Sequence, residues 1–132
     1  MGTDLELSTV VLDCREPYVL AVFWAEVLGY RPELGNEDWA ALSAEAEAGE
    51  LGWVKLVDPR GARAPIAFQR VPEPKAGKNR LHLDLTATDE GAEARRLESL
   101  GATRLWVSGD SEDHFIVLGD PEGNEFCVVR RA

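Results

Sequence analysis

Two periodicities alternate along this chain, and each pattern occurs twice. Thr9-Val10-Val11-Leu12-Asp13-Cys14 is a β-type run, and Glu16-Pro17 then opens a helical pattern. Pro17 suits a first helical turn, where its missing N–H costs nothing. Leu20, Phe23, Trp24, Val27 and Leu28 fall on one apolar stripe of that helix, and Gly29 follows as its C-terminal cap. The plan returns at Leu81-His82-Leu83-Asp84-Leu85-Thr86, a strand of strict alternation. Asp89 is placed to cap the next helix, Ala94, Leu97 and Leu100 carry its apolar face, and Gly101 ends it.

The second half of each unit repeats as well. Trp53 to Val57 runs into the turn Asp58-Pro59-Arg60-Gly61, and a strand follows from Ala64 to Val71. Phe115 to Leu118 runs into Asp120-Pro121-Glu122-Gly123, and a strand follows from Asn124 to Arg130. Pro fixes φ and Gly permits a positive φ, so Asp-Pro-x-Gly between apolar runs is a turn with a physical cause. The order implies an α+β fold of two βαβββ modules related by an internal repeat. Module 1 spans about residues 5–71, module 2 about 80–131, and 72–79 connects them within a single domain of 132 residues. The copies differ near Asn36 to Gly49, where Trp39, Leu42 and Ala46 suggest a short helix or a wide loop.

Composition narrows the function more than the fold. A formal charge of −10 argues against a nucleic-acid partner, because phosphate recognition relies on clustered Lys and Arg. Cys14 and Cys127 read as free thiols in a chain with an ample core. The first residues carry no basic region and no apolar run, and no stretch approaches the roughly 20 apolar residues of a membrane span. A soluble cytoplasmic protein is therefore expected. No nucleophile elbow or phosphate loop is present.

Several segments carry a resemblance. They are the strand ending Leu12-Asp13-Cys14, the helix with Phe23-Trp24 and Leu28-Gly29-Tyr30, and Phe68 to Lys75. Asn79 to Leu85 and Asp120-Pro121-Glu122-Gly123-Asn124-Glu125-Phe126-Cys127 complete the set. In order and spacing the chain resembles the glyoxalase / bleomycin-resistance / dioxygenase (vicinal oxygen chelate) superfamily, in its glyoxalase-like branch. That resemblance implies curved sheets enclosing a pocket with helices outside, and homodimeric assembly. It spans isomerases, epimerases, ring-cleaving dioxygenases, thiol transferases and proteins that only sequester antibiotics, so the fold does not choose among them.

The resemblance also implies four pocket-facing positions where metal-using relatives hold ligands. Counting from the helix starts gives Thr9 and His82, and counting from the turns gives Gln69 and Cys127. Only His82 among them is a good ligand for a divalent ion; Gln69 is a weak oxygen donor. No metal cofactor is expected, with a divalent ion at His82 as the alternative.

Alternation places Asp84 and Thr86 on the side of His82, Glu125 and Val129 on the side of Cys127, and Trp53 with Lys55. The expected ligand-binding lining is Trp53, Gln69, His82, Asp84, Glu125 and Cys127, with His82, Asp84 and Glu125 as its acid–base candidates. Each has a plainer reading: His82 as a strand hydrogen-bonder, Asp84 as a cap on backbone N–H groups, Glu125 as a turn residue, Cys127 as core packing. Trp24 and Trp106 read as core, Trp39 and Trp53 as stacking candidates, and His114 as a surface residue of a polar loop. The expected activity is metal-independent binding of an organic small molecule, cationic or aromatic. The alternative is a superfamily enzyme, a lyase, isomerase or dioxygenase, working through His82 with a metal or with Asp84 and Glu125.

Overall fold

The structure is a computed structural model that describes residues 2–33, 38–108 and 114–131. The start of the insertion, including Asn36, and the loop residues Ser111 to Asp113 lie outside the described residues. The chain forms two compact units, Met1–Pro74 and Lys75–Ala132.

The first unit runs β1 (Val10–Cys14), α1 (Pro17–Leu28), β2 (Arg31–Pro32), α2 (Trp39–Glu47), β3 (Trp53–Val57) and β4 (Ile66–Arg70). The second runs β5 (Leu83–Ala87), α3 (Glu90–Ser99), β6 (Thr103–Val107), β7 (Phe115–Gly119) and β8 (Glu125–Arg130). Each unit folds into one open four-stranded sheet, ordered β1-β4-β3-β2 and β5-β8-β7-β6. In both, the first and last strands pair parallel and the other neighbours antiparallel. This is the α+β repeat of two βαβββ modules read from the sequence.

The helices start and stop for the reasons their sequences give. Pro17 occupies the first turn of α1, and Gly29 takes φ 70° so that its N–H reaches the Ala25 carbonyl at 2.8 Å. A side chain at Gly29 would strain that left-handed cap. Asp89 caps α3 by accepting the Ala92 N–H at 3.0 Å. The insertion resolves as α2, capped by Asp38, whose Oδ1 accepts the Ala41 N–H at 2.7 Å.

Both turns are built on a buried aspartate. Asp58 accepts the N–H groups of Arg60, Ala62 and Arg63 at 3.0–3.1 Å. Asp120 accepts those of Glu122 and Asn124, each at 2.9 Å. The carboxylate replaces the strand partners that a chain reversal removes, which is why the motif recurs.

Each sheet packs one face on its helix: α1 on β3 and β4, α3 on all four strands of its module. Leu20, Phe23 and Trp24 meet the buried Val54, Leu56, Ile66 and Phe68 in one core. Ala94 and Leu97 meet Ile116, Leu118, Phe126 and Val128 in the other.

Three expectations need correction. β5 begins at Leu83, so the alternating run that starts at Leu81 enters the ladder two residues later, and Leu81 is exposed. Trp106 is not core: a bulge between Arg104 and Trp106 leaves it opposite Val117, and it is 56% exposed. His114 is not a surface residue; most of its side chain is covered, and its Nδ1 lies 2.8 Å from Oε1 of buried Glu90. That approach lacks the alignment of a hydrogen bond. Glu90 is instead held by Arg130, whose Nη2 donates at 2.7 Å and Nε at 3.1 Å. The Arg130 hydrogen bonds and charge hold the Glu90 carboxyl down to about 2.

Candidate functional site

The site takes shape on the second module's sheet, on the face turned away from α3. Along β8 the buried residues are Phe126 and Val128, so Glu125, Cys127 and Val129 face the other way. Register then lays out a row across the strands: Asp84 beside Cys127, Cys127 beside Val117, and Val117 beside Trp106. The next row is Thr86, Val129 and Phe115. The Trp106 and Phe115 rings lie 5.3 Å apart, tilted at 54°. One end of this face is polar and the other aromatic.

At the polar end His82, just before β5, turns its Nε2 to 3.2 Å from Asp84 Oδ1. Both side chains are exposed. One ligand atom from each of His82, Asp84 and Cys127 lies within 4.8 Å of the others. Burial pushes the Cys127 thiol up, and the charge and hydrogen bond of Asp84 push it further, so the sulfur keeps its proton at neutral pH.

Glu125 faces the same side, because β8 pairs without a bulge. Its carboxylate is paired with a cation. Lys78 donates to it, and this bond, with the charges of Lys78 and Lys75, holds the Glu125 carboxyl below its ordinary range. The 72–79 connector therefore supplies a lysine to the site as well as spacing.

Asn79 completes the frame. Its Oδ1 accepts the Glu125 N–H at 3.1 Å, and its Nδ2 donates to the carbonyls of Glu125 at 3.2 Å and Leu81 at 3.1 Å. An amide side chain thus stands in for a strand partner ahead of β5. Neither Lys78 nor Asn79 is marked by a sequence motif; the available signal is an Asn four residues ahead of the β5 entrance.

The remaining candidates belong to the first module. Trp53 is 46% exposed and lies opposite Gln69, which pairs on its other side with Asp13. Lys55 shares that face and pairs with Glu33 at 3.0 Å. Thr9 is half-buried just before β1. Counting from the turns misaligned Gln69 with Cys127. The bonds Val71 N–H to Cys14 O and Arg131 N–H to Ala87 O are equivalent closures of the two modules. They make Arg70 the counterpart of Arg130, Gln69 of Val129, and Ala67 of Cys127. Measured from the turn aspartates, Cys127 lies seven positions on and Ala67 nine, so Gln69, eleven positions on, stands two residues past the counterpart of Cys127.

Residues 9–129 match the glyoxalase-like domain family model. The chain belongs to that family. No curated protein matches it in sequence. Among solved structures, it resembles a glyoxalase/bleomycin resistance protein/dioxygenase family enzyme from Burkholderia phytofirmans PsJN, with a TM-score of 0.68 and 18% identity over 96% of this chain and 98% of that one. The genomically encoded fosfomycin resistance protein FosX of Listeria monocytogenes gives 0.69 at 11% identity, covering 98% and 96%. The oxidase ChaP-H2 gives 0.64 at 11% identity, again over 98% and 96%. At such identities the likeness speaks for the fold.

An imidazole nitrogen, a carboxylate oxygen and a thiolate within 4.8 Å suit a zinc-like ion in donor type and spacing. Binding would require the Cys127 proton to leave, and the ion would supply Lewis-acid chemistry. Asp84, two residues after His82 on the same side, is the donor that the four family positions leave out.

Proposed function

We propose that this chain is a small-molecule binding protein of the glyoxalase/bleomycin-resistance type that works without a resident metal. One observation carries the reading: the polar groups at the head of the second sheet satisfy each other. His82 Nε2 faces Asp84 Oδ1 at 3.2 Å, and the Cys127 thiol keeps its proton beside the same carboxylate. A paired imidazole and a protonated thiol offer hydrogen bonds to a ligand but no activated nucleophile.

The ligand this face suits is aromatic, and neutral or singly cationic. From Asp84 to Trp106 is three strand spacings, roughly 14 Å, the reach of a two-ring molecule. Lys78 offsets Glu125, so the preference for a cation rests on Asp84 alone. The protein acts in the cytoplasm and as a homodimer. What supports the pairing is β6, exposed at all five positions, with Leu105, Trp106 and Val107 outward. No described helix is long and apolar enough to cross a membrane.

A second reading, a superfamily enzyme with a divalent ion at His82, is favoured by the three-donor cluster. Elemental analysis of the purified protein, followed by titration of aromatic amines against matched carboxylates, separates the two. Binding of the amines that weakens in both Asp84→Asn and Trp106→Ala supports the first reading. A stoichiometric metal that His82→Ala removes would install the second. Tighter binding of the carboxylates would remove the ligand assignment.

A further inference from the structure

Two carboxylates flank one thiol at the polar end of the second sheet. Asp84 lies opposite Cys127 across the β5–β8 ladder, and Glu125 stands two residues earlier on β8, on the same face. One strand spacing and two residues separate their roots, about 8 Å. After burial, the charges of Asp84 and Glu125 both raise the Cys127 thiol, so both reach the same sulfur. Two negative groups at that spacing make two places for a cation.

The two places differ in what already stands there. Beside Asp84 is His82, which is charged only when protonated. Beside Glu125 is Lys78, an ammonium carried by the chain itself. The Lys78 side chain is 81% exposed and that of Glu125 23%, so the ammonium arrives from the solvent side onto a largely covered carboxylate. Asn79, next in sequence, bonds both the N–H and the carbonyl of Glu125, which fixes the root of Lys78 beside it. A side chain at Gly123 would meet Lys75 Cδ, so the connector also lies across the β7–β8 turn. An exposed ion pair is weak by itself, but a tethered partner keeps a high effective concentration.

We propose that Lys78 is a specificity-determining residue: it fills the second cation place, at Glu125, and limits a cationic ligand of this face to one positive charge. The inference rests on the binding function proposed above and adds a rule for the ligand's charge. A monocation beside Asp84 leaves the Lys78–Glu125 pair intact. The second ammonium of a dication reaches Glu125 only by displacing Lys78.

Calorimetric titration of the full chain with benzylamine, and with the diamine carrying a second aminomethyl group in the para position, compares one charge with two. The readout is the ratio of diamine to monoamine affinity. Lys78→Met should raise that ratio by roughly threefold or more. Lys78→Arg, which keeps the charge, should hold it at the wild-type value. So should Arg96→Met, which removes the same charge from the exposed surface of α3. Adding Glu125→Gln to Lys78→Met should take the rise away. A ratio that Lys78→Met does not raise, that Arg96→Met raises equally, or that stays high in the double variant would overturn the proposal. Those results with benzylamine bound would leave the binding function standing; binding of neither amine to any of these proteins would remove both.

Discussion

Replacing Asn79 with alanine tests whether one amide side chain holds the His82 end of the second sheet together. The substitution removes three hydrogen bonds, two of them to the backbone of Glu125 and one to the Leu81 carbonyl. A net contribution near 1 kcal/mol per bond gives about 3 kcal/mol. Leu81 is exposed, and water can replace its bond, so the expected loss is about 1.5–2 kcal/mol. With a urea slope of roughly 1.5 kcal/mol/M, the midpoint should fall by about 1 M. Urea titration followed by far-ultraviolet circular dichroism measures it. Native-state hydrogen exchange should show the Glu125 amide losing protection more than the Phe126 amide, which lies beyond the reach of Asn79. Asn79→Asp is the discriminating control: it keeps the acceptor for the Glu125 N–H and loses both donors, so it should fall between wild type and alanine. A midpoint shift below about 0.2 M, or an unchanged Glu125 exchange rate, would refute the reasoning.

Three further outcomes are expected. Glu90 has its carboxyl lowered from 4.5 to about 2 in the folded chain. Its stabilising effect is therefore full above 4.5 and disappears as pH falls through about 2. Melting curves of wild type and Glu90→Gln should converge across that window; a gap that is constant with pH would contradict it. Asp84→Asn should speed alkylation of Cys127 by iodoacetamide several-fold at mildly alkaline pH, because the carboxylate is one of the groups raising the thiol; mass spectrometry of the modified peptide reads this directly. Phe126→Ala, which empties a site 1% exposed between sheet and α3, should cost about 3–5 kcal/mol in urea unfolding.

The repeat was legible because its punctuation is chemical. Asp58 and Asp120 hold their turns with the same backbone bonds, and Gly29 and Asp89 cap helices as residues of their kind do. Strand parity also placed His82 and Asp84 together and turned Glu125 toward Cys127. What parity cannot carry is a change of register or a partner from outside the ladder. Leu105 is one inserted residue, and it put Trp106 on the open face rather than in the core. Gln69 stands two residues past the counterpart of Cys127 and on the same strand face, so alternation alone does not tell the two positions apart. Lys78 and Asn79 sit in a Pro- and Gly-bearing connector whose composition suggests spacing alone, and only three-dimensional structure brings them to Glu125, 47 and 46 positions away. Glu90 was missed for a similar reason: a carboxylate in a first helical turn looks solvent-facing until Arg130 arrives from the far end of the module.

The parallel pairing of first and last strands sets an order of events on the ribosome. In the β5-β8-β7-β6 sheet, β5 has β8 as its one neighbour, and β8 occupies Glu125–Arg130. While the chain is being made, β5 emerges early and must wait, unpaired, for some forty residues until its partner leaves the exit tunnel. The first module has a longer wait of the same kind, since β1 ends at Cys14 and β4 begins at Ile66, but that wait is over at Arg70, before β5 is made. A nascent chain halted before Glu125 would carry one finished sheet and one open strand edge, the state in which edge-to-edge association is most readily begun.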